Sequence, residues 1–174
     1  MIVSLSGAMG CGKSTVGECL AQALGWPYID LDAYIEEMAG AGIPEIFSAR
    51  GEEAFREMEE KALGRLCSAA GLCGESMVLS LGGGTLMRGG CRDIVRDSCF
   101  NIYLSATPET LARRLQGETG GRPLLGGTGS LEEKITGLLN QRKEVYEQAA
   151  DLTVQVDGKS PEDIVDEIFA VVSG

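Results

Sequence analysis

Eight residues near the N-terminus have the types and spacing of a phosphate-binding loop. The segment from Gly7 to Ser14 reads GAMGCGKS and fits the Walker A pattern G-x4-G-K-[ST] in full. Glycines let such a loop fold with its amide hydrogens pointing at phosphate oxygens, and the helix that begins near Lys13 adds the positive end of its dipole. Lys13 can then reach the β- and γ-phosphates, and the Ser14 hydroxyl can ligate Mg²⁺. The motif therefore predicts a site for a nucleoside triphosphate.

Two carboxylates follow at the end of a predicted strand, Tyr28–Leu31. The alternation of side chains along a strand places Asp30 and Asp32 on one face, at the carboxyl end of the sheet, where ligands of doubly wound folds bind. One carboxylate near Mg²⁺ and another beside an acceptor hydroxyl would suit phosphoryl transfer. Aspartate is also a good N-cap, so the same residues could instead begin the next helix. The pattern alone leaves both interpretations open.

Backbone amides and arginines supply candidate anion-binding groups further along the chain. Gly82–Gly84 follow a predicted strand, and their amides form either an anion site or a structural turn. Arg122 lies in the glycine-rich segment 117–129, where a cation on a mobile loop could close over the phosphates and stabilise transition-state charge. Arg56 and Arg142 lie on predicted helices, and their pattern alone is more typical of surface arginines. Of the three arginines, Arg122 has the strongest case for a functional role.

The elements that position these residues alternate between short apolar runs and amphipathic stretches. Periodicity and helix-start signals predict the order β-α repeated through the chain, which implies a parallel sheet with helices on both faces and right-handed crossovers. We therefore predict an α/β fold, a three-layer α/β/α arrangement with a five-stranded parallel sheet, in a single domain spanning 1–174. The predicted strands are Ile2–Ser6, Tyr28–Leu31, Met77–Leu81, Asn101–Leu104 and Leu152–Val156. The predicted helices are Lys13–Leu24, Asp32–Ala39, a long one near 52–69, a short one near 91–96, one from Thr107 to about Leu115, Leu131–Ala149 and one that opens at Ser160.

Composition narrows the classes of function. The formal net charge is −11 over 174 residues, and such an acidic protein repels nucleic-acid backbones and anionic lipid surfaces. No apolar run approaches the roughly 18 residues needed to cross a bilayer, and the N-terminus lacks the basic start of a signal peptide. The chain has no histidine, which excludes His-based acid–base chemistry, and its six cysteines are expected to be reduced. We therefore expect a cytoplasmic protein without nucleic-acid or membrane partners, and a monomer by default.

Six motifs in a fixed order resemble the shikimate kinase family. They are GAMGCGKST, DLD, FR, LGGG, RPLL and RKEVY, and together they cover nearly the whole chain. The Walker A motif alone occurs in many kinases, whereas its combination with the others is much more specific. The resemblance implies a P-loop kinase fold with a mobile lid, and transfer of the γ-phosphate of ATP to the 3-hydroxyl of shikimate, giving shikimate 3-phosphate and ADP. It also implies a Mg²⁺ cofactor and a place in aromatic amino acid biosynthesis.

The resemblance assigns the nucleotide side of the site to the Walker A loop. Lys13 would contact the transferring phosphate as a catalytic residue, while Ser14 and, through water, Asp30 would hold Mg²⁺. Arg114 is the candidate for stacking on adenine, although the neighbouring Arg113 fits the same role. The residues implied to hold the ATP phosphates are Gly7, Gly10, Cys11, Gly12, Lys13, Ser14 and Thr15.

The resemblance assigns the acceptor side to separate segments of the chain. Asp32 would bind the shikimate hydroxyls and accept the proton of the 3-hydroxyl as a catalytic residue. Arg56, Arg142 and the amides of Gly82–Gly84 would hold the substrate carboxylate, whose geometry matches guanidinium forks. Arg122 would be the catalytic arginine of the lid and would also contact the substrate.

Two regions and two rival functions complete the prediction. The lid would span approximately 116–129 and the substrate-binding helical region approximately 32–70. The first rival is another small-molecule or nucleotide kinase, such as a gluconate- or adenylate-kinase-like enzyme, but a monophosphate acceptor needs a phosphate clamp and a base pocket. The second rival is a nucleotide-binding regulatory domain with little transfer activity, against which the intact Lys13, Asp32 and Arg122 argue.

Overall fold

A fully parallel sheet forms the centre of the computed structural model, which describes residues 1–116 and 130–174. The strands are β1 (Ile2–Ser6), β2 (Tyr28–Asp30), β3 (Met77–Ser80), β4 (Cys99–Ser105) and β5 (Leu152–Gln155). They lie in the order β2-β3-β1-β4-β5, and every neighbouring pair is parallel. The predicted five-stranded parallel sheet is therefore confirmed.

Helices cover the sheet on both sides. All five residues of the central strand β1 are buried, and successive side chains of a strand point to opposite faces, so neither face of β1 is open to solvent. The strands are connected by a short 3₁₀-helix, Thr85–Met87, and by the helices α1 (Lys13–Leu24), α2 (Leu31–Ala39), α3 (Ile43–Arg50), α4 (Glu52–Cys73), α5 (Gly89–Ser98), α6 (Pro108–Leu115) and α7 (Leu131–Ala149). The last strand is followed by α8 (Pro161–Val172). The packing of α1 on α8, α4 on α5 and α6 on α7 completes the layers.

Side-chain caps explain why several helices begin where the sequence predicts. Thr107, Ser130 and Ser160 each accept a hydrogen bond from the backbone amide three residues ahead, which satisfies a donor that the first turn would otherwise leave unpaired. The first turns of α6 and α8 each contain a proline, which is compatible with a helix start. An amide hydrogen in the first turn has no acceptor within the helix, so the one that proline lacks is not needed there. As a result, α6 and α7 begin and end where the pattern predicts.

One predicted strand boundary is wrong, and one helix was not predicted. The second strand ends at Asp30, and Leu31 begins α2, so Asp32 lies on a helix and not on the strand. Helix α3 was not predicted, because it is short and buries only one side chain, that of Ile46, which leaves almost no periodic signal in the sequence.

Three other predictions concern the lid, the membrane and the cysteines. The segment 117–129, which contains Arg122 and nearly all of the predicted lid, lies outside the described residues. Within the parts of the chain that are described, no helix has both the length and the apolarity to cross a bilayer. All six cysteines belong to those parts, and each is a free thiol.

Candidate active site

A cavity of about 650 Å³ opens at the carboxyl ends of β1, β2 and β3. Its walls come from the loop after β1, from the first turns of α1 and α2, from α3 and α4, and from the glycines that follow β3. Because parallel strands end at one edge of the sheet, the predicted groups converge there. The predicted site residues in its lining are Gly10, Gly12, Lys13, Ser14, Thr15, Asp30, Asp32, Arg56, Gly82, Gly83, Gly84 and Arg114, whereas Gly7, Cys11 and Arg142 do not line it.

Two glycines fix the shape of the Walker A loop. Gly7 has a φ angle of 143°, and a Cβ atom there would lie 2.6 Å from the carbonyl oxygen of Leu104, closer than any side chain tolerates. Gly12 is the N-cap of α1 and has a φ angle of 97°, in the left-handed region that favours glycine. The loop thus has a backbone conformation that other residues could not adopt without strain.

The Lys13 ammonium lies against the backbone of its own loop. Its Nζ atom donates hydrogen bonds to the carbonyl oxygens of Gly7, at 2.8 Å, and Ala8, at 3.2 Å. The Cys11 thiol, which is buried beneath the loop, lies 3.8 Å from the same nitrogen. The positive charge of Lys13 is therefore held at the rim of the loop, where a phosphate group would meet the first turn of α1.

Arg114 is the arginine of α6 that reaches the Walker A loop. Its Nη1 atom donates to the carbonyl oxygen of Cys11 at 2.9 Å and lies 3.1 Å from the position of a Cβ atom on Gly12. Arg113, its neighbour, does not line the cavity and is exposed. Of the two arginines between which the sequence could not choose, Arg114 is therefore the one beside the nucleotide loop.

The two aspartates of the second strand have different local roles. Asp30 is the N-cap of α2, and its Oδ1 atom accepts a hydrogen bond from the Ala33 amide at 3.0 Å. Asp32 lies in the first turn of α2, so the strand periodicity that placed both side chains on one face does not apply. Both carboxylates nevertheless line the cavity, because a helix that starts directly at the strand end keeps its first turn at the sheet edge.

The carboxyl group of Asp32 has a pKa raised to about 6. Burial is the largest cause, because it disfavours the charged form, and the negative charges of Glu59 and Asp30 act in the same direction. Lys13 and Arg56 lower the pKa but do not compensate. A carboxylate with a pKa near neutrality is well matched to accepting a proton at physiological pH.

Arg56 is held in place by a buried carboxylate that the sequence analysis missed. Glu59, one helical turn further along α4, is fully buried and accepts a hydrogen bond from Arg56 Nη1 at 3.0 Å. Its other oxygen accepts from the Thr85 hydroxyl at 2.7 Å. The spacing of three residues between Arg56 and Glu59 was the available signal, because such pairs meet on a helix surface. Glu59 thereby fixes the direction of the Arg56 guanidinium.

The glycines after β3 pack directly against these charged groups. A Cβ atom on Gly82 would lie 2.9 Å from Asp32 Oδ1, and one on Gly84 would lie 2.5 Å from Arg56 Nη2. Side chains at these positions would displace either the aspartate or the arginine. The segment therefore brings bare backbone within reach of both Asp32 and Arg56, as an anion site requires.

Arg142 and Tyr146 approach the same glycines from α7. The buried Arg142 has its Nη1 atom 3.5 Å from the position of a Cβ atom on Gly83, although it lines a smaller neighbouring cavity. The Tyr146 hydroxyl donates a hydrogen bond to the Gly83 carbonyl, and its ring stacks on Tyr103 with 5.1 Å between centroids. Burial raises the pKa of Tyr146 to about 12, so the hydroxyl stays protonated. Tyr146 belongs to the RKEVY motif but was not predicted as a site residue.

Aromatic rings form part of the cavity wall. Phe47 of α3 and Phe55 of α4 have ring centroids 5.1 Å apart and both line the cavity. The Arg56 guanidinium lies 5.2 Å from the Phe55 ring centroid. The cavity thus combines a phosphate loop, an ionisable carboxylate, a fixed guanidinium and an apolar wall, which suits a nucleotide together with a small anionic acceptor.

Comparison with known proteins decides the family. The model of the shikimate kinase family matches residues 9–173. The chain belongs to the shikimate kinase family. The shikimate kinase of Chlorobaculum parvum is 40% identical over 174 residues, covering 96% of this chain and 89% of that protein. A shikimate kinase of Thermus thermophilus is 43% identical over 166 residues, covering 95% of this chain and 86% of that protein.

A solved shikimate kinase shares the fold over the whole chain. The structure of the Acinetobacter baumannii enzyme in complex with shikimate superposes with a TM-score of 0.91 at 32% identity, covering 99% of this chain and 92% of that one. The predicted family, the P-loop kinase fold and the activity of an ATP-dependent shikimate kinase are thus confirmed at the level of the family. The rival of a regulatory domain without transfer activity finds no support in these matches.

Proposed function

We propose that this shikimate kinase family member transfers the γ-phosphate of ATP to the 3-hydroxyl of shikimate within the 650 Å³ cavity. The observation that carries the proposal is that one cavity holds both the Walker A loop and the cluster of Asp32, Arg56 and Gly82–Gly84. A donor and an acceptor bound there would lie side by side, as direct transfer requires. The A. baumannii relative, whose structure contains shikimate, supports the choice of acceptor.

The nucleotide would bind on the Walker A loop. The amides of the residues from Gly7 to Thr15 would donate to the phosphates, and Lys13 would exchange its bonds to loop carbonyls for bonds to the β- and γ-phosphate oxygens. The Arg114 guanidinium, anchored on the Cys11 carbonyl, would stack on adenine. A loop already shaped by its glycines needs little reorganisation on binding, which favours tight phosphate binding.

Mg²⁺ would bind between Ser14 and Asp30. Both side chains offer the hard oxygen atoms that Mg²⁺ prefers, and only one Asp30 oxygen is used in capping α2. No cluster of three acidic, Cys or His side chains in the described residues could hold a metal without help, which fits an ion that arrives with phosphate ligands. The chemistry supplied by bound Mg²⁺ would be positive charge that offsets the negative charge of the phosphates, while Ser14 and Asp30 would hold the ion.

The acceptor would be held by its carboxylate, and its hydroxyl end would attack the γ-phosphate. Arg56, Arg142 and the amides of Gly82–Gly84 would bind the carboxylate, while Asp32 would orient the 3-hydroxyl. The 3-oxygen would form a bond to the γ-phosphorus as the bond to the ADP oxygen breaks, and the hydroxyl proton would pass to Asp32. Since the Asp32 pKa is about 6, the group is ionised and able to accept a proton at pH 7.

The remaining predictions extend the proposal beyond the described residues. Arg122, on the lid near 116–129, would close over the phosphates and exclude water, which suppresses ATP hydrolysis. The chain would act as a single-domain monomer in the cytoplasm without nucleic-acid or membrane partners. The net charge of −11 supports the last point, because nucleic acids and anionic lipids would be repelled.

The experiment that tests the proposal is ADP release from Mg²⁺·ATP in a coupled assay, with the product examined by phosphorus NMR. Shikimate, gluconate and nucleoside monophosphates are compared as acceptors, and the Asp32→Asn variant serves as the control for transfer. We expect strong stimulation by shikimate alone and a product phosphorylated on the 3-oxygen. Turnover on gluconate or a monophosphate without a response to shikimate would overturn the acceptor but leave the nucleotide site intact.

A further inference from the structure

A second large cavity lies on the helical region, away from the Walker A loop. It has a volume of about 510 Å³ and is formed by α2, α3, α4 and the α2–α3 connection. We call this cavity the helical groove. Its floor is apolar, with Ile35, Ile46 and Ala62 all nearly inaccessible to solvent. Met38 and Met58 add flexible side chains that can adapt to a bound molecule. The volume lies within the range of small-molecule sites, about 300–1,000 Å³.

The rim of the helical groove is positively charged in an acidic protein. Arg50, Lys61 and Arg65 line it and are exposed, and none of them forms an ion pair with another described residue. The Arg50 guanidinium leans across the groove to within 3.9 Å of the Met58 sulfur. The single acidic residue of the lining is Glu45. Three cations against one carboxylate around an apolar floor are unexpected in a chain of net charge −11.

The helical groove and the active-site cavity use different faces of the same helices. On α4, the groove is lined by residues 58, 61, 62 and 65, which follow helical spacing, whereas residues 55, 56 and 59 face the active site. On α2, Ile35 faces the groove and Asp32 faces the active site. No residue lines both cavities, so a ligand of the groove would not need to compete with ATP or shikimate for contacts.

We propose that the helical groove is a second binding site, for a small organic anion with an apolar body. The apolar floor would cover the body of the ligand, and the three rim cations would bind a carboxylate, sulfonate or phosphate group. Charge complementarity supports this class over a neutral apolar molecule, because desolvating three cations without a partner would be unfavourable. The limited volume and the acidity of the remaining surface favour a small ligand over a polyanion.

A fluorescent probe tests whether the groove requires both properties. The probe is 8-anilinonaphthalene-1-sulfonate, and its neutral control is N-phenyl-1-naphthylamine, which has the same rings without the sulfonate. Titrations are made with saturating MgADP and shikimate, so that the active-site cavity is filled. We expect the sulfonate to bind saturably at one site and the neutral compound to bind at least about fivefold more weakly. Equal affinity of the two probes would overturn the role of the rim cations.

Matched variants locate the bound probe. Lys61→Gln/Arg65→Gln is expected to weaken sulfonate binding about tenfold, because it removes two of the three rim cations. Lys143→Gln removes an exposed cation from α7 and should change the affinity less than twofold. Ala49→Trp, on the exposed edge of the groove, should block the probe by filling space. All three proteins should keep wild-type shikimate turnover, which shows that they are folded. Unchanged probe binding in the double variant and in Ala49→Trp would contradict the proposal.

Discussion

The nucleotide side and the acceptor side of the cavity are built in different ways. The phosphate-binding part of the nucleotide side is one continuous segment, residues 7–15, whose shape depends on backbone conformations such as the left-handed Gly12. The acceptor side is assembled from α2, α4 and the glycines after β3, and it depends on side-chain contacts such as Glu59 with Arg56 and Thr85. Phosphate binding is therefore a local property of the sequence, whereas recognition of the acceptor is a property of tertiary packing.

The comparison predicts that substitutions on the two sides have different kinetic signatures. A substitution on the nucleotide side weakens the stabilisation of the transferring phosphate and lowers kcat. A change among the groups that hold the acceptor raises the KM for shikimate and leaves the KM for ATP near its original value. Asp32 lies between the two sides, because it contacts the glycine segment and is also affected by the charge of Lys13.

The largest effect is expected for Lys13→Ala. The substitution removes the positive charge held at the loop, and kcat should fall about 10³-fold because charge on the transferring phosphate is no longer stabilised. Steady-state kinetics measure the loss, with Lys143→Ala as a control that removes a charge remote from the cavity. A loss below about tenfold would mean that the loop binds phosphate through its backbone alone.

Asp32→Asn should lower kcat by about 10²- to 10³-fold, the usual contribution of a positioned base. The same change should stabilise the fold at pH 7. The folded pKa of about 6 lies above the ordinary value of 3.8, so the cost of ionisation to stability grows between about pH 4 and pH 6, is complete above pH 6, and is nearly absent below about pH 3. Removing that cost should contribute about 1–3 kcal/mol and raise Tm by several degrees.

The pH dependence of the Tm difference is a control for the stability effect of Asp32→Asn. The Tm difference between variant and wild type should be present at pH 7 and should shrink toward zero near about pH 3, where the carboxyl group is mostly protonated in both folded and unfolded chains. Asp93→Asn, at an exposed position on α5, should change neither activity nor this pH dependence. A variant that is less stable than wild type at pH 7 would show that the Asp32 carboxylate stabilises the fold.

The pH dependence of kcat/KM in the wild-type protein is expected to be an effect of intermediate size. With a base of pKa about 6, kcat/KM for shikimate should fall about tenfold for each pH unit below that value, because only the ionised group accepts the proton. The rate is measured between pH 5 and 8 under conditions where the wild-type protein stays folded. An unchanged rate down to pH 5 would exclude Asp32 as a base with this pKa.

Tyr146→Phe should have the smallest effect of the series. It removes the hydrogen bond to the Gly83 carbonyl but keeps the ring stacked on Tyr103. The glycine segment therefore loses one of the contacts that hold it in place. A typical hydrogen bond contributes about 1 kcal/mol, which predicts a rise of about fivefold in the KM for shikimate. Tyr103→Phe, which removes a hydroxyl that does not bond to the glycines, is the matched control. Equal rises in both variants would indicate a general loss of packing.

Much of the fold was predictable because its signals are local. Alternating apolar runs gave the strands, and Thr107 with Pro108 or Ser160 with Pro161 marked helix starts whose caps the structure contains. Helix α3 was missed because it buries one side chain and has little periodicity. The boundary at Asp30 was misplaced because an aspartate can end a strand and cap a helix at the same position.

More of the nucleotide side than of the acceptor side could be predicted from the sequence. Walker A spacing alone indicated the nucleotide loop, whereas Arg56 could not be distinguished from a surface arginine without a family resemblance. Glu59 was missed because a glutamate on an amphipathic helix is usually solvated, and only tertiary packing shows it buried against Thr85. The choice of Arg114 over Arg113 likewise depends on how α6 packs beside the loop.

The central claim is that the acceptor is recognised by packed side chains, separately from the nucleotide loop. The most direct test measures the KM for shikimate and the KM for ATP in Arg56→Lys. This variant keeps the charge opposite the buried Glu59 but loses the planar fork that matches a carboxylate. The account predicts a rise of at least about tenfold in the KM for shikimate, with the KM for ATP changed less than about twofold. An unchanged KM for shikimate, or an equal rise for both substrates, would contradict it.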